Sequence, residues 1–196
     1  MAYEDEKIIA MLNQAKTNKK LNIQNEVNIC GVLYTFASKE LFEGAFSIAM
    51  PESFVEMPSE TAAEKYPSVD RPQLIFSNED GTINLTFSYT EYAIQPDEVE
   101  NSIKGFKLVI KRMFPANTFY DLKCEPLNEA KLGYFDYRSY ALDDDLYNII
   151  FATGIDGRLL IGTFSCLFTH KKYWQPLAQQ MMQSILDLRK DSKAHE

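Results

Sequence analysis

Tyr147-Asn148-Ile149-Ile150-Phe151-Ala152-Thr153-Gly154-Ile155-Asp156-Gly157-Arg158-Leu159-Leu160-Ile161-Gly162-Thr163-Phe164-Ser165-Cys166 is a β-hairpin written out in full. A two-residue Asp-Gly loop suits the right-handed twist of the strands it joins, and it makes Ile155 face Arg158. Every other pair follows: Thr153 meets Leu160, Phe151 meets Gly162, Ile149 meets Phe164 and Tyr147 meets Cys166, all on one face. The glycine opposite Phe151 leaves room for the ring to lie over backbone. The other face carries Asn148, Ile150, Ala152, Ile161, Thr163 and Ser165 and is half apolar. That mixture predicts a central hairpin with both sides covered.

Downstream, Trp174, Leu177, Ala178, Met181, Ile185 and Leu188 recur at helical spacing and predict a closing amphipathic helix, with Pro176 in its first turn, where a missing N–H costs least. No residue between Tyr147 and Leu188 is evidently equipped for chemistry.

Length and composition bound the rest. The chain has 196 residues, 45% of them hydrophobic, enough to bury a full core and short enough for one compact body. Its formal net charge is -8, and its lysines and arginines are scattered, which argues against a nucleic-acid partner. No apolar run approaches the ~20 residues that cross a bilayer, and Met1 to Lys20 has no signal-peptide core, so no membrane partner and a cytoplasmic location are expected. The three cysteines, Cys30, Cys124 and Cys166, show no metal spacing and read as packing residues in a reducing compartment.

Upstream of the hairpin, Ile8, Met11, Leu12 and Ala15 predict a short helix over Glu4 to Lys16. From Leu21 the period becomes two, with Leu21, Ile23, Val27 and Ile29 inward, predicting a half-buried strand that continues irregularly through Val32 to Phe36. Glu40 to Met50 alternates as one strand with Phe42, Phe46, Ile48 and Met50 inward, ended by Pro51. Ser53 to Asp70 is a long excursion with a short helix at Ser59 to Lys65, and loops of that length inside a domain are often functional. Gln73 to Ser77 and Thr82 to Thr90 flank a turn at Asn78 to Gly81; Ile83, Leu85, Phe87 and Tyr89 face one way. Asp97 and Glu100 have capping-box spacing, and the helix after them buries Val99, Ile103, Phe106, Ile110 and Met113 before Pro115. Strands follow at Thr118 to Cys124 and Gly133 to Leu142, with Asp143-Asp144-Asp145 as the turn into the hairpin.

Hairpin-linked strands with few long helices predict an α+β fold: a central antiparallel sheet flanked by helices on both faces, an α/β/α sandwich. Residues 1–40, a helix and strand extension packed on the main body, precede a principal domain over residues 41–196.

Candidate chemistry is sparse. The chain has two histidines, and His195 lies in a polar tail. A Cys166–His170 pair is disfavoured because Cys166 sits on an apolar strand face, whereas catalytic thiols need polar, cation-rich surroundings. The Asp143–Asp145 run lacks the turn glycine and distal glutamate of a calcium loop and reads as a solvated turn. No G-x-S-x-G, G-x-x-x-x-G-K-[ST] or G-x-G-x-x-G motif occurs. No catalytic residue, metal or cofactor is therefore expected. Lys65-Tyr66-Pro67-Ser68-Val69-Asp70-Arg71-Pro72 is the best candidate partner-binding surface: two prolines stiffen it, and Tyr66 and Arg71 are residue types enriched at binding hot spots. Alternatively, Tyr66 packs down as a plug and Arg71 pairs with Asp70 or a nearby glutamate. Tyr89 and Tyr92 could extend the surface, and an ordinary exposed edge explains them equally well.

The segment Leu41-Phe42-Glu43-Gly44-Ala45-Phe46-Ser47-Ile48-Ala49-Met50-Pro51-Glu52-Ser53-Phe54, a strand entering an apolar-Pro-x-x-Phe element, resembles the superfamily joining the photosystem protein PsbP, the Ran-binding Mog nuclear-transport factor and bacterial DcrB-like proteins. The Asp156-Gly157 hairpin and terminal helix resemble theirs too, so the likeness runs from Leu41 to Leu188. It implies the same sheet flanked by helices on both faces, and functions of binding, assembly or chaperoning. The acidic Ran-contact pattern is not reproduced in Ser53 to Asp70, so Ran binding does not carry over. The leading expectation is a cytoplasmic, non-enzymatic adaptor, bacterial by its resemblance, that binds another protein through a sheet edge and the Tyr66–Arg71 loop. Its rivals are a small-molecule pocket protein or hydrolase, built between the polar face of Thr82 to Thr90 and the long loop, and an effector chaperone or immunity-type protein.

Overall fold

A computed structural model describes residues 21–189 of the chain. Its strands in chain order are β1 (Val27–Ile29), β2 (Val32–Tyr34), β3 (Phe36–Leu41), β4 (Phe46–Pro51), β5 (Val55–Glu56), β6 (Leu74–Ser77), β7 (Asn84–Ala93), β8 (Thr118–Leu127), β9 (Ala130–Ser139), β10 (Leu146–Ile155), β11 (Arg158–Leu167) and β12 (Leu186–Asp187). The α-helices are α1 (Ser59–Lys65), α2 (Val99–Met113) and α3 (Lys171–Gln183). The expected helix over Glu4 to Lys16 lies outside the described residues.

β10 and β11 pair in the register that the Asp-Gly turn dictates, including Phe151 with Gly162 and Tyr147 with Cys166. They sit inside a seven-stranded antiparallel sheet of order β5-β6-β7-β11-β10-β9-β8. A Cβ on Gly162 would overlap the Phe151 ring, so the glycine is required by the ring that lies over it.

The two faces of this sheet are covered differently. One carries the main core, where Phe87, Phe151, Phe164 and Leu160 meet Trp174 and Leu177 of α3 and Phe46 and Ile48 of β4. Phe87, Phe151, Phe164 and Trp174 are each fully buried. Burial of each such side chain contributes roughly 1.5–3 kcal/mol. The other face packs a smaller cluster, Phe135, Ile150, Ala152 and Leu159, against Val99 and Ile103 of α2. Gly133 permits that approach, because a Cβ there would lie 2.9 Å from Ile103 Cγ2. The architecture is therefore α+β, a large antiparallel sheet with helices on both faces, as expected. A three-stranded sheet of order β12-β4-β3 and the β1-β2 hairpin complete the body.

Several local expectations are corrected. Glu40 to Met50 is two strands: Phe42, Glu43 and Gly44 all have positive φ (51°, 56° and 74°), which turns β3 back into β4. The sequence shows the break as a change of phase, since Leu41 is buried on one side of the turn and Phe46, Ile48 and Met50 on the other. The strand expected from Leu21 begins only at Val27; before it, Gln24 N–H donates to Asn22 Oδ1 at 2.9 Å and bends the chain into a turn. Leu21, Val27 and Ile29 are nonetheless buried. Helix α2 starts at Val99, and no side chain caps it from Asp97; Glu98 accepts from Gln95 N–H at 2.8 Å, while Glu100 pairs with Lys104. Met113 is 63% exposed because it lies past the sheet that the helix covers. Helix α3 starts at Lys171, so Pro176 falls inside it and not in the first turn. The helix stops at Gln183, and Ile185 leads into β12, which pairs with β4. Cys30 is exposed in the β1-β2 turn and is not a core residue; Cys166 is buried as expected.

A cleft between two sheet edges

β3 is the outer strand of the three-stranded sheet, and among the described residues its other side has no strand partner. In an antiparallel pair, successive residues point their N–H and C=O alternately toward the partner and away from it. Glu52 N–H donates to Thr35 O, which sets the phase: Ala37, Lys39 and Leu41 bond to β4, and Phe36, Ser38 and Glu40 turn their backbone groups to the open side. The phase is corroborated on β4, where Ala49, opposite Ser38, donates its N–H away from β3 to Ser184 Oγ at 2.8 Å.

The open edge borders a cleft of about 560 Å³ lined by Lys39 to Glu43, Glu56, Gln73, Leu74, Phe76, Tyr89, Glu91, Arg158 and Arg189. Across the cleft lies the edge of the large sheet. β6 ends its pairing with β7 at Leu74–Phe87, and among the described residues no strand continues along that side of β7. The Gln73 side chain takes the place of a strand there, accepting from Tyr89 N–H at 2.7 Å.

Aromatic rings and cations build the wall. Lys39 Nζ stands 4.4 Å from the Phe76 ring centroid and the Arg158 guanidinium 4.3 Å from that of Tyr89. Arg158 also pairs with Glu91 and donates to Thr90 O. Tyr89 donates to Ile155 O at 3.1 Å, and burial raises its hydroxyl above the usual range, so it stays a neutral donor. At the rim, Phe42 packs its ring against Phe46 and Tyr89. Left-handed backbone at two non-glycine residues costs roughly 1–2 kcal/mol each, and such strain collects at functional sites.

Of the residues singled out from the sequence, Tyr66 caps the C-terminal end of α1 and is partly covered, and burial raises its hydroxyl. Arg71 is exposed, two residues before the cleft residue Gln73. Among the described residues, neither side chain makes a hydrogen bond, ion pair or ring contact, and nothing joins the two. Tyr92 is 64% exposed; Tyr89 belongs to the cleft wall. The cleft itself escaped sequence reading because Glu40 to Met50 reads as one strand; the Glu43-Gly44 pair, a turn signal between alternating stretches, was the clue.

On the polar face of Thr82 to Thr90, Asn84 and Thr86 are buried, and Lys65 of α1 donates to Asn84 Oδ1 at 3.0 Å. Burial pushes the Cys166 thiol up to about 12, opposite to what a nucleophile needs. Asp145 is engaged by Arg138. Among the described residues no group of His, Cys, Asp and Glu could hold a metal ion, and no helix is long and apolar enough to cross a membrane.

No family model matches the chain, and no curated protein matches it. Solved structures do. The cyanobacterial PsbP protein CyanoP from Synechocystis sp. PCC 6803 superposes with a TM-score of 0.58 at 11% identity, covering 83% of this chain and 98% of that one. The Saccharomyces cerevisiae Ran-binding protein Mog1p has a TM-score of 0.44 at 11% identity, covering 79% of this chain and 96% of its own. At this identity the likeness is one of fold, carried by the CyanoP match: an α+β sandwich of the PsbP-like kind.

Proposed function

We propose that the chain is a non-enzymatic protein-binding module that takes an extended segment of its partner along the open edge of β3, with the Tyr66–Arg71 loop as a flanking contact. The observation that carries this reading is the outward-facing backbone of Phe36, Ser38 and Glu40 along an edge whose Glu40 end lines a cleft rimmed by a second sheet edge. Strand addition draws affinity from such main-chain groups and specificity from pockets for alternate side chains. Four carboxylates (Glu40, Glu43, Glu56 and Glu91) and three cations (Lys39, Arg158 and Arg189) line the cleft, a small acidic excess that favours a segment carrying lysine or arginine. The free cysteines suit a reducing compartment such as the cytoplasm. The fold is shared with a PsbP protein, and binding without catalysis is the kind of role the sequence resemblance implies.

The test is selection from a library of displayed peptides, followed by affinity measurement on variants. Ser38→Pro removes an outward N–H without touching the β4 ladder, and should weaken selected peptides by about tenfold or more, about 1.4 kcal/mol. Tyr66→Ala with Arg71→Ala should weaken them while leaving the melting temperature nearly unchanged. Peptides that bind the Ser38→Pro protein as tightly as the wild type would refute strand addition; a large loss of stability in the double variant would make Tyr66 and Arg71 structural.

A further inference from the structure

We propose that a second cleft, between α3 and the edge strand β8, binds a small zwitterion: a molecule of amino-acid size carrying both a carboxylate and an amine. The site is separate from the β3 edge and independent of the peptide-binding reading.

The cleft is open to solvent and has a volume of about 210 Å³. At about 30 Å³ per water molecule this is space for about seven waters. One wall is a single stripe of α3, Lys171, Gln175 and Gln179, spaced four residues apart; the other is Tyr120 and Lys123 of β8, and Asp136 of β9 lies between them. A β-bulge shapes the outer wall. The β8–β9 register shifts between Phe119 and Leu122, and Lys107, on the opposite face of the sheet, donates to the Tyr120 carbonyl and pins the bulge. Bulges re-aim side chains in this way. Tyr120 is thereby set against the helix, with Lys171 Nζ 3.8 Å from its ring centroid and 5.0 Å from that of Tyr147.

Three polar groups of the cleft lack a hydrogen-bond partner among the described residues. Lys171 is held by rings, and none of its three ammonium protons has an acceptor among the described residues. Asp136 uses Oδ2 twice, accepting from Tyr147 Oη at 2.8 Å and Gln175 Nε2 at 3.2 Å, and its Oδ1 has no described partner. Burial holds the Tyr147 hydroxyl far above its ordinary range, so it remains a donor to Asp136. The Gln179 amide is likewise unbonded. A free ammonium and a free carboxylate oxygen, both fixed by neighbours, match an acceptor and a donor on one ligand.

Charge selects the class. Lys123 and Lys171 are balanced by Asp121 and Asp136 around the same cleft. A simple anion meets two carboxylates there and a simple cation two ammonium groups, whereas a zwitterion places each pole against its opposite.

The experiment is calorimetric and NMR titration of the full chain with each of the twenty standard amino acids, and separately with acetate and with methylamine. Saturable binding of at least one amino acid is expected, with acetate and methylamine weaker by about tenfold or more. Lys171→Met and Gln179→Ala should each weaken it; Gln179 makes no described hydrogen bond, so its variant reports on the ligand without unseating the helix. Acetate binding as tightly as any amino acid would overturn the zwitterion in favour of an anion site. No saturation below about 10 mM, or binding indifferent to both variants, would overturn the site itself.

Discussion

The ring of Phe151 occupies the space that a side chain at Gly162 would fill, across the central strand pair of the large sheet. The same ring packs edge-on against Phe87 at a centroid distance of 6.2 Å, which ties β10 through β11 to β7. Gly162→Ala should therefore destabilise the protein by about 1–3 kcal/mol, the usual cost of overpacking a core. Urea denaturation would measure it, and Phe151→Leu in the Gly162→Ala background should recover part of the loss. A neutral Gly162→Ala would mean that the ring can move aside.

Thr153 is fully buried in β10, and its hydroxyl has no hydrogen-bond partner in the described structure. An unpaired buried hydroxyl carries a desolvation penalty of about 1–3 kcal/mol, so Thr153→Val should stabilise the fold by about 1 kcal/mol. The midpoint of chemical denaturation would rise. A loss of stability would reveal a bridging water bonded to the hydroxyl.

Tyr134 donates to Glu125 at 2.9 Å and Tyr147 to Asp136 at 2.8 Å. Burial first, then the carboxylates, raises both hydroxyls above their ordinary value; burial also raises those of Tyr34, Tyr66, Tyr89, Tyr120 and Tyr137. The unfolded chain therefore loses these protons near pH ~10, before the native state does. The stability they contribute is complete below that pH and falls as the pH rises beyond it. Denaturation series from neutral to alkaline pH should show this decline, and Tyr147→Phe should flatten it while costing about 1.5–3 kcal/mol at neutral pH through the lost bond to a carboxylate.

The three thiols should react in sequence. Cys30 is exposed in its turn, Cys124 is partly covered with its thiol pushed up chiefly by burial, and Cys166 is buried with its thiol at about 12. A thiol-specific reagent at neutral pH should label Cys30 at once, Cys124 slowly and Cys166 only on unfolding. Rapid labelling of Cys166 in the native state would show that the β10–β11 end of the sheet opens.

Much of the fold could be read from local rules. The Asp156-Gly157 turn set a ten-pair register without help from elsewhere, because a two-residue loop admits one alignment and each slip would send apolar residues to the wrong face. The Ser59–Lys65 helix was legible for a similar reason, lying between Pro58 and Pro67 with good helix formers inside. Phase was harder. Phe42 belongs to a left-handed turn that neither propensity nor alternation favours, and it is held there by Phe46 and Tyr89. Asp97 and Glu100 had the spacing of a cap, yet Glu98 reaches Gln95 and Lys104 draws Glu100 away.

By itself the sequence determined the strand pairs joined by short turns, the buried stripes of the helices and hence an antiparallel sheet covered on both faces. These depend on period and turn chemistry, which act over a few residues. Only the tertiary structure decided which edges stay open and which polar groups meet: Glu40 of the open edge in the cleft that Leu74 also lines, and Lys171 over Tyr120 in the cleft that holds Asp136. Those juxtapositions join residues far apart in the chain, and they are set by sheet order, a bulge and a helix docking, none of which leaves a local signature.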